Sequence, residues 1–363
     1  MRLLVGMPEQ GAQGGPAACE PPFIEELRRL GHEVEEEVYA YASVNLGAHS
    51  RAQRVLKTAR VLREQLRRSD FDLVHINTAL DLKALLRDAL IVPRLRLKRT
   101  KIFLKFHGSD AGLLETKNPF IAALRRRVLS PADGIGVLSS EERANFLRAG
   151  IAEKKVFIVK NVVAGTSYQR NSKFLGQWSL PDDRPLLLFI GRFIRTKGLL
   201  DVIRACDLLR NGGQKFLLLC LGDGPARPEA ESLVQRYNLQ DYIRFFGYIP
   251  EDQTAGFYVN SNVLVFPTYH TEGFPMVIFN AAAAGLPIIT TRIRAAADYL
   301  VEPENCLWVE PKSPSQLADA IISLLTKPEM RKAMSANNRT LVERFSTETV
   351  TREYLGIFDR VLS

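Results

Sequence analysis

The chain has 363 residues, a formal net charge of +9, and apolar and charged fractions of 46% and 25%, which are typical of a globular protein with more than one hydrophobic core. No run approaches the roughly 18 consecutive apolar residues that a membrane-spanning helix needs, and Met1–Met7 is too short for a signal peptide. A cytoplasmic protein of two domains is therefore expected.

Strand and helix patterns alternate from the start of the chain. A strand at Leu3–Val5 precedes a loop of small residues, and Phe23–Leu30 then shows the apolar period of a helix that Gly31 ends. Gly14 and Gly15 lie in this loop but do not complete the G-x-G-x-x-G dinucleotide signature. Two interpretations remain open at this point, a phosphate-binding loop and an ordinary surface loop.

His107 follows an apolar strand predicted at Ile102–Phe106, and ligands collect at the carboxyl ends of parallel strands. A structural histidine also fits this position, although Asp110 is close enough in sequence to orient the ring. Further on, Ser139 and Glu142 have the spacing of a capping box that opens a helix. The other elements predicted for this half are helices near 51–67, 80–90 and 118–129 and strands at 34–38, 73–76, 134–137 and 156–159.

Basic residues are concentrated in this first half, in clusters at 51–68, 94–101 and 125–127 with apolar residues between them. A solvated helix face explains each cluster singly, whereas an anionic membrane surface explains them together. Nucleic acid is not a predicted partner because the sequence contains no recognised nucleic-acid module. We therefore predict peripheral contact with the inner face of the cell membrane.

A polar, turn-rich stretch separates the two halves. The prediction is a first domain at 1–165, a linker at 166–184 and a second domain at 185–345, in which strands and helices alternate again. Such alternation through both halves predicts an α/β protein with two parallel sheets. The four cysteines have no paired spacing, so free thiols and no metal site are expected.

Two stretches of the second domain predict an anion site. Arg192 and Lys197 lie in a loop beyond a predicted strand, and such cations can hold a diphosphate, the guanidinium through paired hydrogen bonds. Glu272 precedes a helix predicted at Pro275–Ala284, which Gly285 ends, and the N-terminus of a helix attracts anions. Ordinary surface charge and a buried crossover helix are the alternatives. The main-chain groups of two further residues could contact a nucleobase, namely Tyr248 and Ile249.

The segments GRFIRTKG, GDG, FFGYIP and EGFPMVIFNAAAAGLPII occur here in that order. Together they resemble the second domain of the retaining, nucleotide-sugar-dependent glycosyltransferases of the family 4-like (group 1) class, whose GT-B architecture has two facing Rossmann-like domains. FHGSD and the glycine loop resemble the first domain of that class. The resemblance covers almost the whole chain and implies that the C-terminal helix, 346–363, packs on the first domain.

The resemblance also implies roles for individual residues. Arg192 and Lys197 would bind the donor diphosphate and neutralise the leaving group, and Glu272 would lie beside the donor sugar. His107 would lie across the cleft, near the sugar and the attacking hydroxyl. Same-face attack would retain the anomeric configuration, and no metal or other cofactor would be needed because cations and the helix dipole stabilise the diphosphate. The remaining donor-binding residues would be Gly14, Gly15, Tyr248, Ile249, Gly273, Phe274, Pro275, Met276 and Asn280.

Asn280 departs from the family pattern, which places a second glutamate eight residues after the first to hold the ribose hydroxyls. Asparagine lacks the charge that strengthens such bonds. Three interpretations remain open: weaker donor binding, a deoxy nucleotide such as a dTDP-sugar, and lost activity. The main hypothesis is hexose transfer to a glycan or lipid-linked acceptor in surface polysaccharide biosynthesis, for example of lipopolysaccharide. The alternatives are a nucleotide-binding protein without turnover and a nucleotide-sugar epimerase.

Overall fold

The computed structural model describes residues 1–9, 15–40, 48–97, 100–163, 168 and 173–363. These residues form two six-stranded sheets whose strands all pair in parallel, in the orders β2-β1-β3-β4-β5-β6 and β12-β11-β10-β7-β8-β9. The predicted α/β class with two parallel sheets is therefore confirmed. The strands are β1 (Arg2–Pro8), β2 (Glu33–Ala40), β3 (Leu73–Leu80), β4 (Lys101–Ser109), β5 (Gly134–Val137), β6 (Val156–Ile158), β7 (Leu186–Ile190), β8 (Leu217–Leu221), β9 (Ile243–Gly247), β10 (Val263–Phe266), β11 (Ile288–Thr290) and β12 (Cys306–Trp308).

Helices follow almost every strand and cover the sheets. They are α1 (Gly15–Arg29), α2 (Ala48–Arg68), α3 (Leu82–Leu95), α4 (Ala111–Leu114), α5 (Pro119–Leu129), α6 (Ser140–Arg148), α7 (Phe174–Gln177), α8 (Leu199–Asn211), α9 (Arg227–Arg236), α10 (Glu251–Asn260), α11 (Met276–Ala283), α12 (Arg294–Tyr299), α13 (Pro314–Thr326), α14 (Pro328–Val342) and α15 (Thr347–Leu362).

The chain divides into two compact units. The first unit contains Met1–Ala164, Thr271–Phe274 and Phe345–Ser363, and the second contains Gly165–His270 and Pro275–Arg344. The segment that carries Glu272 therefore packs with the first unit, although it lies within the range expected for the second domain. A four-residue helix, α7, lies in the stretch predicted as the linker.

In the first unit, α2, α3 and α5 are neighbours on one face of the sheet, and α1 and α15 pack together on the other. This division follows from the strand order, because right-handed crossovers that move along the sheet in one direction place their helices on one face. On the second face, Tyr354 and Phe358 of α15 contact the ring of Phe103 in β4. The predicted return of the C-terminal helix to the first domain is confirmed.

Among the predicted boundaries of the first unit that are wrong, two bear on the candidate site. The prediction began the first helix at Phe23, just after Pro21 and Pro22, which lack the backbone N–H of a helix interior. The structure begins α1 at Gly15 and keeps both prolines inside it, with Cys19 and Phe23 buried one turn apart on the face that packs inward. Burial of that face outweighs the local effect of the prolines.

The second wrong boundary concerns His107, which was expected just after a strand. It lies within β4, which continues to Ser109 because Ser109 pairs with Leu80 of β3. One local prediction in this unit is confirmed. Ser139 caps α6 by accepting a hydrogen bond from the backbone N–H of Glu142, as the capping box predicted.

No helix in the described part of the chain is both long and apolar enough to cross a membrane. All four cysteines are buried free thiols, as expected. Within the described residues, no group of three or more histidine, cysteine or acidic side chains is arranged to hold a metal ion.

Candidate active site

The candidate residues of the first unit share one face of the sheet. Side chains alternate along a strand, so Phe103, Lys105 and His107 of β4 point to the same side. The register pairs Asn77 of β3 with Lys105, which places Asn77 on that side too. This is the face covered by α1 and α15, and α1 contributes the fully buried carboxylate of Glu20.

Glu20 and Lys105 form a buried ion pair, with Lys105 Nζ 2.6 Å from Glu20 Oε1. The ammonium also lies 5.4 Å from the centre of the Tyr354 ring. Burial alone raises the pKa of the Glu20 carboxyl, but the charge of Lys105 and the His75 ring, whose Nε2 lies 3.5 Å from Glu20 Oε2, outweigh it and hold that pKa well below its usual range. Both groups are therefore charged near neutral pH, at the base of the site that holds His107.

Asn77 fixes the orientation of the His107 ring. Asn77 Nδ2 donates to the carbonyl of Gly6 at 3.3 Å, so its Oδ1 faces His107 Nε2 at 2.8 Å and accepts the hydrogen of that nitrogen. Burial, followed by the nearby charge of Lys105, keeps the pKa of His107 well below its usual value. The neutral ring therefore carries its proton on Nε2 and leaves Nδ1 as an acceptor. Nδ1 has no hydrogen-bond partner among the described residues.

The segment with Glu272 packs beside His107. A Cβ on Gly273 would lie 2.9 Å from the backbone oxygen of His107 and 3.2 Å from Glu142 Oε2, so only glycine fits this close approach. Glu142 is itself held by Ser109 Oγ, which donates to its carboxylate at 2.8 Å. His107, Glu272 and Gly273 are therefore brought together in the first unit. Phe274 completes the contact by packing its ring on that of Phe345, with centroids 5.5 Å apart.

The candidate cations of the second unit follow β7. Arg192 is exposed, and it has no ion-pair partner among the described residues. Lys197 is buried, and its Nζ lies 5.3 Å from the centre of the Phe266 ring at the end of β10. Thr196, one residue earlier, shares a hydrogen bond of 3.0 Å with His270 Nδ1. The Lys197 ammonium is thus held at the carboxyl edge of the second sheet.

Glycines allow the loops at this edge to pack closely. Gly198 has a φ of 85°, and a Cβ there would lie 2.5 Å from the carbonyl oxygen of Pro267. Gly222 has a φ of 131°, and a Cβ there would collide with the carbonyl oxygen of Gly191. Neither position tolerates a side chain without a backbone shift. The two glycines bring the loops after β7, β8 and β10 together around Lys197.

The other predicted donor-binding residues occupy the same edge or the helix that follows it. Tyr248 and Ile249 come directly after β9, and the Tyr248 side chain is exposed. Pro275 precedes α11 and Met276 is its first residue, and Pro275 makes no side-chain cap hydrogen bond to this helix. The helix ends at Ala283, with Gly285 at a φ of 67°, so the predicted bounds are confirmed to within one residue.

Asn280 lies inside α11, and other residues of the second unit engage its side chain. Its amide lies close enough to the carboxyl of Glu251, the first residue of α10, and to the buried hydroxyl of Tyr258 to favour the charged form of each and lower its pKa. Burial raises the pKa of Glu251, and Asn280 offsets part of that rise. A carboxylate therefore lies next to Asn280, supplied by α10. Among the other predicted donor residues, Gly14 lies outside the described residues and Gly15 opens α1.

A cavity of about 380 Å³ lies elsewhere in the second unit, beside residues that precede β10 and β11. It is therefore at the amino edge of the sheet, opposite the edge of Lys197. Two arginines line the cavity, and each donates a hydrogen bond to a carbonyl at the end of a helix. Arg331 donates to the carbonyl of Leu325 near the end of α13, and Arg339 donates to the carbonyl of Ala284 just after α11. These carbonyl contacts account for the presence of two arginines beside the cavity.

Sequence reasoning identified His107 but missed the groups that position it, Glu20, Asn77 and Lys105. One signal was present. Lys105 interrupts the apolar run of β4, and a lysine at an inward position of a central strand needs a buried acidic partner. The spacing does not indicate which acidic residue this partner is.

Two family models match the chain. Glycosyltransferase Family 4 matches residues 22–164, and Glycosyl transferases group 1 matches residues 171–341. The uncharacterized glycosyltransferase MJ1178 of Methanocaldococcus jannaschii is 26% identical over 76% of this chain and 72% of its own length. The lipopolysaccharide core biosynthesis glycosyltransferase LpsD of Rhizobium meliloti is 32% identical over 50% of this chain and 51% of its own length.

Solved structures share the fold over nearly the whole chain. A sucrose-phosphate synthase from Thermosynechococcus elongatus superposes with a TM-score of 0.80 and 21% identity, covering 99% of this chain and 98% of its own. HepE of Anabaena, solved in complex with UDP-glucose, gives a TM-score of 0.77 and 17% identity, covering 98% of each chain. At these identities the similarity establishes the two-sheet fold.

Proposed function

Because the chain belongs to the group 1 glycosyltransferases, with a Family 4 region ahead of the group 1 region, we propose that it transfers a hexose from a nucleotide-diphosphate sugar to a glycan or lipid-linked acceptor. We assign the transfer to surface polysaccharide biosynthesis and expect it to retain the anomeric configuration. The LpsD relative, which is named for lipopolysaccharide core biosynthesis, supports this setting. The complex of HepE with UDP-glucose supports a nucleotide sugar as donor.

The observation that carries the proposal is the placement of Arg192 and Lys197. Lys197 is held at the carboxyl edge of the second sheet, and Arg192 extends from the same loop without a carboxylate partner among the described residues. Ligands of open α/β sheets bind at this edge. Two cations there would bind the donor diphosphate and stabilise the negative charge that develops on it as the glycosidic bond breaks.

His107 and Glu272 would act on the sugars. The His107 ring is neutral, and its buried Nδ1, which has no hydrogen-bond partner among the described residues, would accept a hydrogen bond from a sugar hydroxyl without itself taking the proton. The leaving phosphate would accept the proton of the attacking hydroxyl on the same face of the sugar. In this scheme no side chain is the general base, and activity should persist in EDTA because the protein's own cations stabilise the diphosphate.

Donor binding is tested by thermal unfolding with UDP, GDP, ADP and dTDP. A ligand that binds the native state stabilises it, by about 2.7 kcal/mol at a hundredfold excess over Kd. We expect one nucleotide to raise the Tm of the wild type, with most of the rise lost in Arg192→Ala and Lys197→Ala. Arg195→Ala is the matched control, because Arg195 lies in the same loop but is paired with Glu229 at 2.8 Å. Equal losses in all three variants would contradict the assignment.

Turnover is tested separately with the preferred donor and a panel of glycan and lipid-linked acceptors. NMR of the anomeric proton in the product shows whether configuration is retained. Nucleotide binding without transfer or hydrolysis of any donor would indicate a binding protein, and interconversion of the donor without an acceptor would indicate an epimerase. Either result would overturn the proposed transfer.

A further inference from the structure

Helices α2, α3 and α5, which we call the three-helix face, form a continuous layer over one side of the first sheet. Their inner side chains are buried in the core of that unit, as shown by Leu62 of α2, Leu85 of α3 and Val128 of α5. The layer follows directly from the strand order, in which three successive crossovers move in the same direction. The outer side chains of the three helices do not take part in this core and are therefore available to contact a binding partner.

That outer side exposes large apolar side chains in a row. Leu82, Leu86 and Leu90 recur every four residues along α3 and are exposed, Leu86 by 44%. Phe120 at the start of α5 is 65% exposed, and Leu56 of α2 is also exposed. Scattered exposed leucines are ordinary, but leucines at this spacing on one helix form a stripe.

The stripe begins at a defined edge of the sheet. Because α3 and α5 both return from parallel strands, they run in the same direction and begin at the carboxyl edge. Leu82 and Phe120 therefore lie in the first turns of neighbouring helices, at the carboxyl edge where β4 ends at Ser109, two residues after His107. The apolar stripe thus starts beside the residues proposed to act on the sugars.

The same three helices are strongly basic. Their sequences contain thirteen lysine and arginine residues against two acidic ones. Neither acidic residue adds exposed negative charge of its own: Asp88 is buried and accepts from Tyr39, Thr78 and Arg87, and Glu64 is paired with Arg60 at 2.9 Å. Exposed leucines within a field of cations match a bilayer that has anionic headgroups above hydrocarbon. A nucleic acid would match the cations but not the leucines.

We propose that the three-helix face docks on an anionic lipid bilayer, with Leu82, Leu86, Leu90 and Phe120 at the level of the acyl chains and the surrounding lysines and arginines among the headgroups. Because the stripe begins at the edge of His107, docking presents that edge to a lipid-linked acceptor. In this respect the inference deepens the proposed function. The docking itself depends only on the composition of the surface and is measured without any donor or acceptor.

The test is flotation of the full chain with vesicles of neutral phosphatidylcholine and with vesicles containing phosphatidylglycerol. We expect binding only to the anionic vesicles, and at least tenfold less of it when the salt concentration rises from 50 to 500 mM. Leu86→Glu should reduce the bound fraction at least tenfold. Leu208→Glu is the matched control, since Leu208 is 45% exposed on α8 of the second unit. Equal Tm values for both variants and the wild type would show that each is folded.

Three results would overturn the docking proposal: no binding to anionic vesicles, equal binding to neutral vesicles, or equal loss in the two variants. If Leu86→Glu lowers the Tm, the charge variant Lys83→Glu replaces it, because Lys83 is exposed on the same helix. Transfer to a water-soluble acceptor distinguishes the two proposals. Its persistence in Leu86→Glu, with lost vesicle binding, supports docking, whereas absent transfer in the wild type would count against the proposed function alone.

Discussion

The buried pair of Glu20 and Lys105 makes a quantitative prediction about stability. Lys105→Met removes the cation 2.6 Å from Glu20 and leaves a fully buried carboxylate without its main partner. Breaking a buried pair in this way costs about 3–5 kcal/mol. For a folding unit of this size each kcal/mol corresponds to roughly 2–4 °C, so the Tm should fall by about 6–20 °C. Circular dichroism during heating measures the change.

The pH dependence separates the charge effect from lost packing. Without Lys105, burial would raise the pKa of Glu20 above its unfolded value, so the folded variant would bind a proton that the unfolded chain lacks. Its stability would then rise as the pH falls toward that of an ordinary carboxyl group. The deficit of Lys105→Met relative to the wild type should therefore be larger at pH 8 than at pH 5. A deficit that is equal at both pH values would refute the reasoning.

Two further variants complete this experiment. Glu20→Gln combined with Lys105→Met removes both charges and should restore most of the lost stability, since well-packed neutral groups often replace buried pairs without loss. Lys101→Met lies on the same strand, but Lys101 is partly exposed and 3.9 Å from Asp133, so it should cost no more than about 1 kcal/mol. A double variant as unstable as the single one would also contradict the account.

Three further predictions concern other positions. The folded pKa of His107 lies below the unfolded value of about 6.5, so the unfolded chain binds more protons than the folded chain below that pH. The Tm of the wild type should therefore fall as the pH drops from 7 to 5, and the Tm of His107→Asn should fall less over the same range. Gly198→Ala, at a left-handed φ and against Pro267, should cost at least about 1–2 kcal/mol, whereas Gly176→Ala, which meets nothing within 4 Å, should leave the Tm within 2 °C. Asn280→Glu would place a second carboxylate beside Glu251 and should lower the Tm at pH 8, with recovery in the double variant that adds Glu251→Gln; an unchanged Tm in the single variant would contradict the contact.

The sequence predicted elements best where they were short, apolar and bounded by turn residues. Gly134–Val137, Leu186–Ile190 and Val263–Phe266 were placed at the bounds that the structure gives. Each is a central strand covered on both faces, so its sequence is a continuous apolar run. Boundaries failed where a distant contact set them, as at Ser109, whose strand continues because of its pairing with Leu80.

The loops of the candidate site could be predicted because their constraints are local. The sequence predicted that Gly198 bounds the loop of Arg192 and Lys197 and that Gly285 ends α11. Both glycines have a positive φ at these places. The packing of Gly273 against the backbone of His107 joins residues more than 160 positions apart. No spacing rule encodes such a contact, so the grouping of Glu272 with the first unit could not be predicted.

The positioning network of His107 shows what strand alternation can and cannot supply. Because the side chains of a strand alternate between its two faces, Lys105 and His107 lie on one face of β4. Their proximity could therefore have been predicted from the strand assignment alone. Alternation cannot identify the partner, because Glu20 is 85 residues earlier and reaches Lys105 only through the packing of α1 on the sheet. The charge that neutralises Lys105 therefore comes from tertiary structure, and so does the Asn77 bond that fixes the protonated nitrogen of the ring. The motif supplies His107, whereas the fold determines the protonation state of its ring.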